Sequence, residues 1–123
     1  MDDSPEELTP DQTTELVEVL EELRVELVAY LAGSGDRTAT VDLDQPIGRL
    51  SRVDALQQQA MAKEQRRRME LRLGKVKQSL ADAAAGDYGL CRRCEEPIGH
   101  ARLKARPESP FCLACRTEIE QGH

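Results

Sequence analysis

Cys91, Cys94, Cys112 and Cys115 are the residues of this chain whose type and spacing most clearly imply chemistry, as two Cys-x-x-Cys pairs separated by 17 residues. Each pair places two sulfurs on one tight turn, where both can face a single tetrahedral metal. Four thiolates fill every position around zinc, which leaves no coordination site for a catalytic water. One structural Zn2+ is therefore expected. His100 competes weakly for a ligand place, because five residues separate it from Cys94 and four cysteines already suffice. It is read as a surface or neighbouring histidine, and the terminal His123 as inert. Arg92, Arg93, Arg102, Lys104, Arg106 and Arg116 surround the site in sequence and are expected to favour thiolate over thiol. A redox switch that releases zinc on oxidation is chemically open to any such site. A thioredoxin-like role is weaker, since no strand-helix alternation surrounds either pair.

The elements that must hold this site are read from pattern. Tyr30, Tyr88 and Phe111 are the only aromatic residues, Trp is absent and 33% of the chain is charged, so a core of ordinary size is not expected. A narrow helical seam and a bound metal are the usual substitutes. Thr9-Pro10-Asp11-Gln12 reads as a helix start with a capping box between Thr9 and Gln12 and proline at the first helical position. Leu16, Leu20, Leu23, Leu27 and Tyr30 then recur at alternating spacings of four and three, with Gly33-Ser34-Gly35 as the expected stop. A second helix is expected from about Ser51 to Ala85, ending at Gly86, with Ala62, Arg66, Met69, Leu73, Val76, Leu80 and Ala83 as its seam and Arg66 as the one interruption. Gly74 inside it is either a point of close approach or bending, or a tolerated glycine on a solvent face.

The fold class expected is all-α: an antiparallel coiled-coil hairpin over residues 1–86, with a tip loop at about 33–50, followed by a small C4 zinc-finger module over 87–123. Charge follows this division. Met1 to Asp36 holds eleven acids against Arg24 alone, whereas Lys63 to Lys77 holds seven bases against Glu64 and Glu70. That asymmetry suits two helices lying together, and the net charge of −6 counts against broad nucleic-acid binding. The start MDDSPEEL lacks the basic and apolar runs of a secretory signal, and no stretch approaches the ~18 apolar residues of a membrane span, so a cytoplasmic, soluble monomer is expected.

Gly86-Asp87-Tyr88-Gly89-Leu90-Cys91-Arg92-Arg93-Cys94, then Ile98-Gly99, Arg102-Leu103-Lys104-Ala105-Arg106-Pro107 and Phe111-Cys112-Leu113-Ala114-Cys115, resemble the zinc-finger signature of the DksA/TraR family. The resemblance is close over 86 to 116 and extends loosely to the helices before it. It implies a bacterial transcription regulator that binds RNA polymerase rather than DNA. In such a protein the coiled-coil tip enters the secondary channel, and tip acids modulate initiation, sometimes with the alarmone ppGpp. This sequence departs from the family in two places: Glu95 stands where many members have Gly, and the tip motif Asp-x-x-Asp-x-Ala is replaced by Leu50-Ser51-Arg52-Val53-Asp54-Ala55.

Asp54 is accordingly the leading tip acid, with Asp42 and Asp44 as alternatives and Arg49 and Arg52 as companions. Ser51-x-x-Asp54 also reads as a capping-box start for the second helix, and both readings stand at this point. Gln57-Gln58-Gln59 and Met61 flank the tip as solvated surface or as an adaptable segment, and the Lys63–Arg68 cluster is read as pairing between or along helices. No Ser-His-Asp set, phosphate loop or apolar acid pair is visible, so catalysis is not expected. The rival functions are a DNA-binding zinc finger, for which residues 116–123 supply no basic recognition helix, and a zinc-stabilised adaptor or thiol switch.

Overall fold

The computed structural model describes residues 5–39 and 49–122, and its elements are all helical: α1 (Pro10–Ala39), α2 (Arg49–Ala85), α3 (His100–Ala105) and α4 (Leu113–Gln121). Helices α1 and α2 form the antiparallel coiled-coil hairpin. An isolated β-bridge between Leu90 and Pro97 closes the turn that carries the first cysteine pair.

The start of α1 is a reciprocal capping box. The backbone N–H of Gln12 donates to Thr9 Oγ1 at 3.1 Å, and the N–H of Thr9 donates to Gln12 Oε1 at 3.0 Å. The far end differs from expectation, because α1 continues through Gly33-Ser34-Gly35 to Ala39. Gly33 keeps a right-handed backbone and makes no close contact. A helical glycine costs only about 1 kcal/mol relative to alanine, which a long helix absorbs unless a left-handed turn is required. At Gly86 such a turn is present: φ is 82°, Asp87 N–H donates to Asp82 O at 2.8 Å and Gly86 N–H to Ala83 O at 3.2 Å. This pair of bonds satisfies the last carbonyls of α2 and stops it.

Two compact units divide the described chain. The first joins Met1–Arg24 with Gly74–His123. Leu16, Ile98 and Leu103 are buried there with Cys91, Cys112 and Cys115, and Leu8, Tyr88 and Phe111 pack against them. Leu20, Val76 and Ser79 are buried along the helices of the same unit. Gly74 is exposed and a Cβ there would meet nothing within 4 Å, so it serves no close approach among the described residues.

The second unit is Val25–Leu73. Leu27 is buried in it, while Tyr30, Ala55, Gln59, Ala62, Arg66 and Met69 are half-buried along the seam. Arg66, the interruption in the apolar pattern, has a partner that explains it: its Nη1 donates to the backbone carbonyl of Leu31 at 2.7 Å, while Nε pairs with Glu70 at 3.1 Å. A guanidinium at a seam is thus satisfied from both helices. The basic cluster pairs along its own helix, with Arg67 and Arg68 both reaching Glu64.

Candidate metal centre

The four sulfurs are gathered by two different backbone devices. In the first, Gly89 (φ 95°) turns the chain after α2. Cys91 N–H then donates to Glu96 O at 2.8 Å and Glu95 N–H to Cys91 O at 2.9 Å, folding Cys91 to Cys94 into a knuckle. In the second, Cys112 is the N-cap of α4, and its Sγ accepts the N–H of Cys115 at 3.4 Å. Oriented N–H groups at a helix start favour a thiolate. The hydrogen bond from Arg92 N–H to Pro110 O, 2.9 Å, ties one knuckle to the other.

All four Sγ atoms lie within 4.8 Å of one another, and Cys94 Sγ is 3.7 Å from Cys112 Sγ. A tetrahedral zinc with Zn–S bonds of ~2.3 Å has S···S edges of roughly 3.8 Å, so the spacing fits that ion. Acidity points the same way. Burial opposes ionisation of Cys91, but N–H groups of Cys94, Cys112 and Arg93 outweigh it and bring its thiol down to about 6. Cys115 is pushed up to about 12, first by burial and then by its sulfur neighbours. Four thiolates this close repel one another, and a bound dication removes the conflict.

The arginines near the site do something other than touch sulfur. Arg92 pairs with Asp82, Arg93 with Glu118 at 2.7 Å and Arg116 with Glu120 at 2.8 Å, while Arg102 Nε donates to Phe111 O at 3.2 Å. They fasten the module's turns and helices. Backbone amides, rather than these side chains, stabilise the sulfur charge. Tyr88 adds a further fastening, its hydroxyl donating to Pro107 O at 2.9 Å, and burial together with Glu108 holds its ionisation well above the usual tyrosine range.

Glu95 adopts φ 63°, a left-handed backbone that a side chain disfavours by about 1–2 kcal/mol. Glu95→Gly is therefore expected to stabilise the folded module by roughly 0.5–1 kcal/mol after glycine's extra chain entropy is subtracted. Thermal melting of the zinc-loaded protein checks this, and an unchanged or lowered midpoint would contradict it.

Residues 5–9, which sequence reading left out of the module, are part of it. A Cβ at Gly89 would lie 2.9 Å from Leu8 Cδ1, and one at Gly99 would lie 2.8 Å from Pro5 Cβ, so both left-handed glycines also make room for this segment. Such long-range contacts leave no local signal. Beside the segment, α3 and α4 border an open groove of about 1500 Å³ whose walls carry Arg102, Arg106 and Arg116 against Glu6, Glu7 and Glu120. His100 opens α3 on this groove, with Nε2 buried, and it is not one of the four clustered ligands.

The tip residues divide by what can be described. Asp42, Asp44 and His123 lie outside the described residues. Arg49 is the first residue of α2, and Arg52 and Asp54 are exposed on it. Because α2 begins two residues before Ser51, Ser51 and Asp54 lie inside the helix, and its first turn contains no acid. The capping-box reading of Ser51-x-x-Asp54 is thereby overturned, since an N-cap must precede the first helical residue.

Comparison with known proteins follows this geometry. Residues 86–121 match the prokaryotic DksA/TraR C4-type zinc finger. The RNA polymerase-binding transcription factor DksA of Escherichia coli K12 is 34% identical over 88 residues, covering 69% of this chain and 58% of that protein. The match to its Haemophilus influenzae counterpart is 39% over 46 residues, covering 37% of this chain and 32% of that one. The transcription factor DksA2 from Pseudomonas aeruginosa superposes with a TM-score of 0.74 at 27% identity, covering 93% of this chain and 88% of that structure.

Proposed function

Because the chain is a zinc-finger protein of the DksA/TraR family, we propose that it binds bacterial RNA polymerase directly and adjusts transcription initiation, as a cytoplasmic monomer without catalytic activity of its own. The observation that carries a binding role is the second unit. Val25, Val28, Val53, Leu56, Met61 and Leu71 are 45–71% exposed there, whereas Leu27 is its one fully buried apolar residue among those described. Large apolar side chains left exposed along one segment gain by being covered by a partner. The relatives' description as RNA polymerase-binding transcription factors supports polymerase as that partner.

In this reading the hairpin to residue 86 is the working element and residues 87–123 are its anchor, with the tip entering the polymerase secondary channel. Asp54 and Arg52, with Arg49, Asp42 and Asp44, form the contacting end. Cys91, Cys94, Cys112 and Cys115 hold one zinc ion, which supplies bonds between two knuckles and no reactive position. The fold's own residues then do the rest: Leu16 and Leu8 bring α1 onto the module, and Arg92 with Asp82 ties the first knuckle to the end of α2.

In vitro transcription with purified polymerase, with and without ppGpp, tests this function. Product yield from responsive promoters should change on adding the protein. Asp54→Asn should bind polymerase within about twofold of wild type, as expected for an exposed polar change, yet alter that yield. Equal yields for wild type and variant would remove Asp54 from the mechanism.

A further inference from the structure

Gly86 ends α2 by a left-handed turn that sends Asp87 N–H back to Asp82 O and Gly86 N–H back to Ala83 O. Gly33 is placed for the same device in α1. Counted from Gly33, the equivalent bonds run from Ser34 N–H to Ala29 O and from Gly33 N–H to Tyr30 O. The first carbonyl that such a stop leaves without an amide is that of Leu31. This is the carbonyl to which Arg66 Nη1 donates from α2, at 2.7 Å.

In the helix that runs on to Ala39, the Arg66 bond is an addition. The Leu31 carbonyl there has the amide of Gly35, four residues on, as its helical partner, and its oxygen carries a second lone pair for the guanidinium. Packing does little for the turns beyond. Leu31 is the last described side chain of α1 that is even half-buried, and Ala32 and Gly33 are exposed. Gly33, Ser34, Gly35 and Thr38 are weak helix formers. No close contact requires glycine at 33, where a Cβ would meet nothing within 4 Å. A helical stretch with poor propensity and no tertiary support is close to unwinding.

We propose that α1 has two lengths, one ending at Ala39 and one stopped at Gly33, and that Arg66 caps the shorter helix by donating to the Leu31 carbonyl. A guanidinium suits the negative end of a helix dipole, and its bond counts for more once the Gly35 amide has left. Glu70, on the same helix as Arg66, holds Nε at 3.1 Å and keeps the guanidinium in place for either state. In the shorter state the connection between the helices runs over 34–48 instead of 40–48. The six residues 34–39 span about 9 Å as helix and up to about 20 Å when extended. The end of the hairpin thus gains an adjustable reach while the seam below Leu31 stays packed, whatever the partner.

Amide hydrogen exchange in the full, zinc-loaded chain tests this. In the wild type, amides 35–39 should be protected, but at least about tenfold less than amides 25–31 of the same helix. Gly33→Ala should slow exchange at 35–39 about tenfold or more, because alanine favours the continuous helix and resists the left-handed stop. Arg66→Met keeps an unbranched stem in the seam and removes the donor. It should slow exchange at 35–39 about threefold or more relative to 25–31, since the shorter helix loses its cap while the longer one keeps the Gly35 bond. An arginine that merely held the helix end in place would give the opposite sign. Protection at 35–39 equal to that at 25–31, or none at all, would overturn the two lengths. Exchange unchanged by Gly33→Ala would overturn the stop at Gly33. Exchange unchanged or faster in Arg66→Met would overturn the cap.

Discussion

Cys112→Ser should lose its zinc and unfold the C-terminal module while most of the helical signal from α1 and α2 persists. The substitution isolates the metal, because serine is itself a good N-cap and can still accept the N–H of Cys115 that Cys112 Sγ accepts at 3.4 Å. Only the fourth thiolate is lost. Structural zinc in small fingers contributes roughly 10–16 kcal/mol to folding, far more than the cap. Three cysteines stand among the six residues of the buried cluster, so that cluster has little apolar content to fall back on. Metal content per chain and protease cleavage within residues 87–122 are the readouts. One bound zinc with unchanged protection would refute the structural role.

Leu103→Ala should destabilise the first unit by about 2–5 kcal/mol, the usual cost of removing a buried leucine side chain. Leu103 is 0% exposed in a helix of only six residues, and its Cδ1 lies 3.8 Å from the position a Cβ would take at Gly89. It therefore joins α3 to the turn that carries Cys91. Among the described residues, Leu16 and Ile98 are the other buried aliphatic side chains of that cluster, with Leu8, Tyr88 and Phe111 packed against it, so the core has few apolar groups to make up the loss. Leu113→Ala, ten residues on, removes the same atoms from a side chain that is 65% exposed and should change stability by less than about 0.5 kcal/mol. Denaturant unfolding of both zinc-loaded variants decides the matter. Equal losses would mean that the small module is held by its metal alone.

The features legible in the sequence were those whose physics is local. Thr9 and Gln12 announce the start of α1 because a capping box is made within four residues, and Leu16, Leu20 and Leu27 are buried at the positions the four-three spacing picks out. Cys-x-x-Cys spacing has the same local character, and the sulfurs do converge. A weak local signal misleads, as at Gly33-Ser34-Gly35, whose modest propensity cost does not stop α1. Contacts between distant segments were illegible. Nothing near Gly89 or Gly99 announces Leu8 and Pro5, and nothing near Arg66 announces the Leu31 carbonyl that makes its seam position tolerable. The arginines around the cysteines were legible as positive charge but not as partners of Asp82, Glu118 and Glu120.

Direct binding to core RNA polymerase, measured with the zinc-loaded protein in the absence of promoter DNA, tests the central claim most directly. The expected result is a saturable complex at micromolar protein or below, formed without DNA. No complex at micromolar concentration, with zinc bound and the hairpin folded, would contradict it.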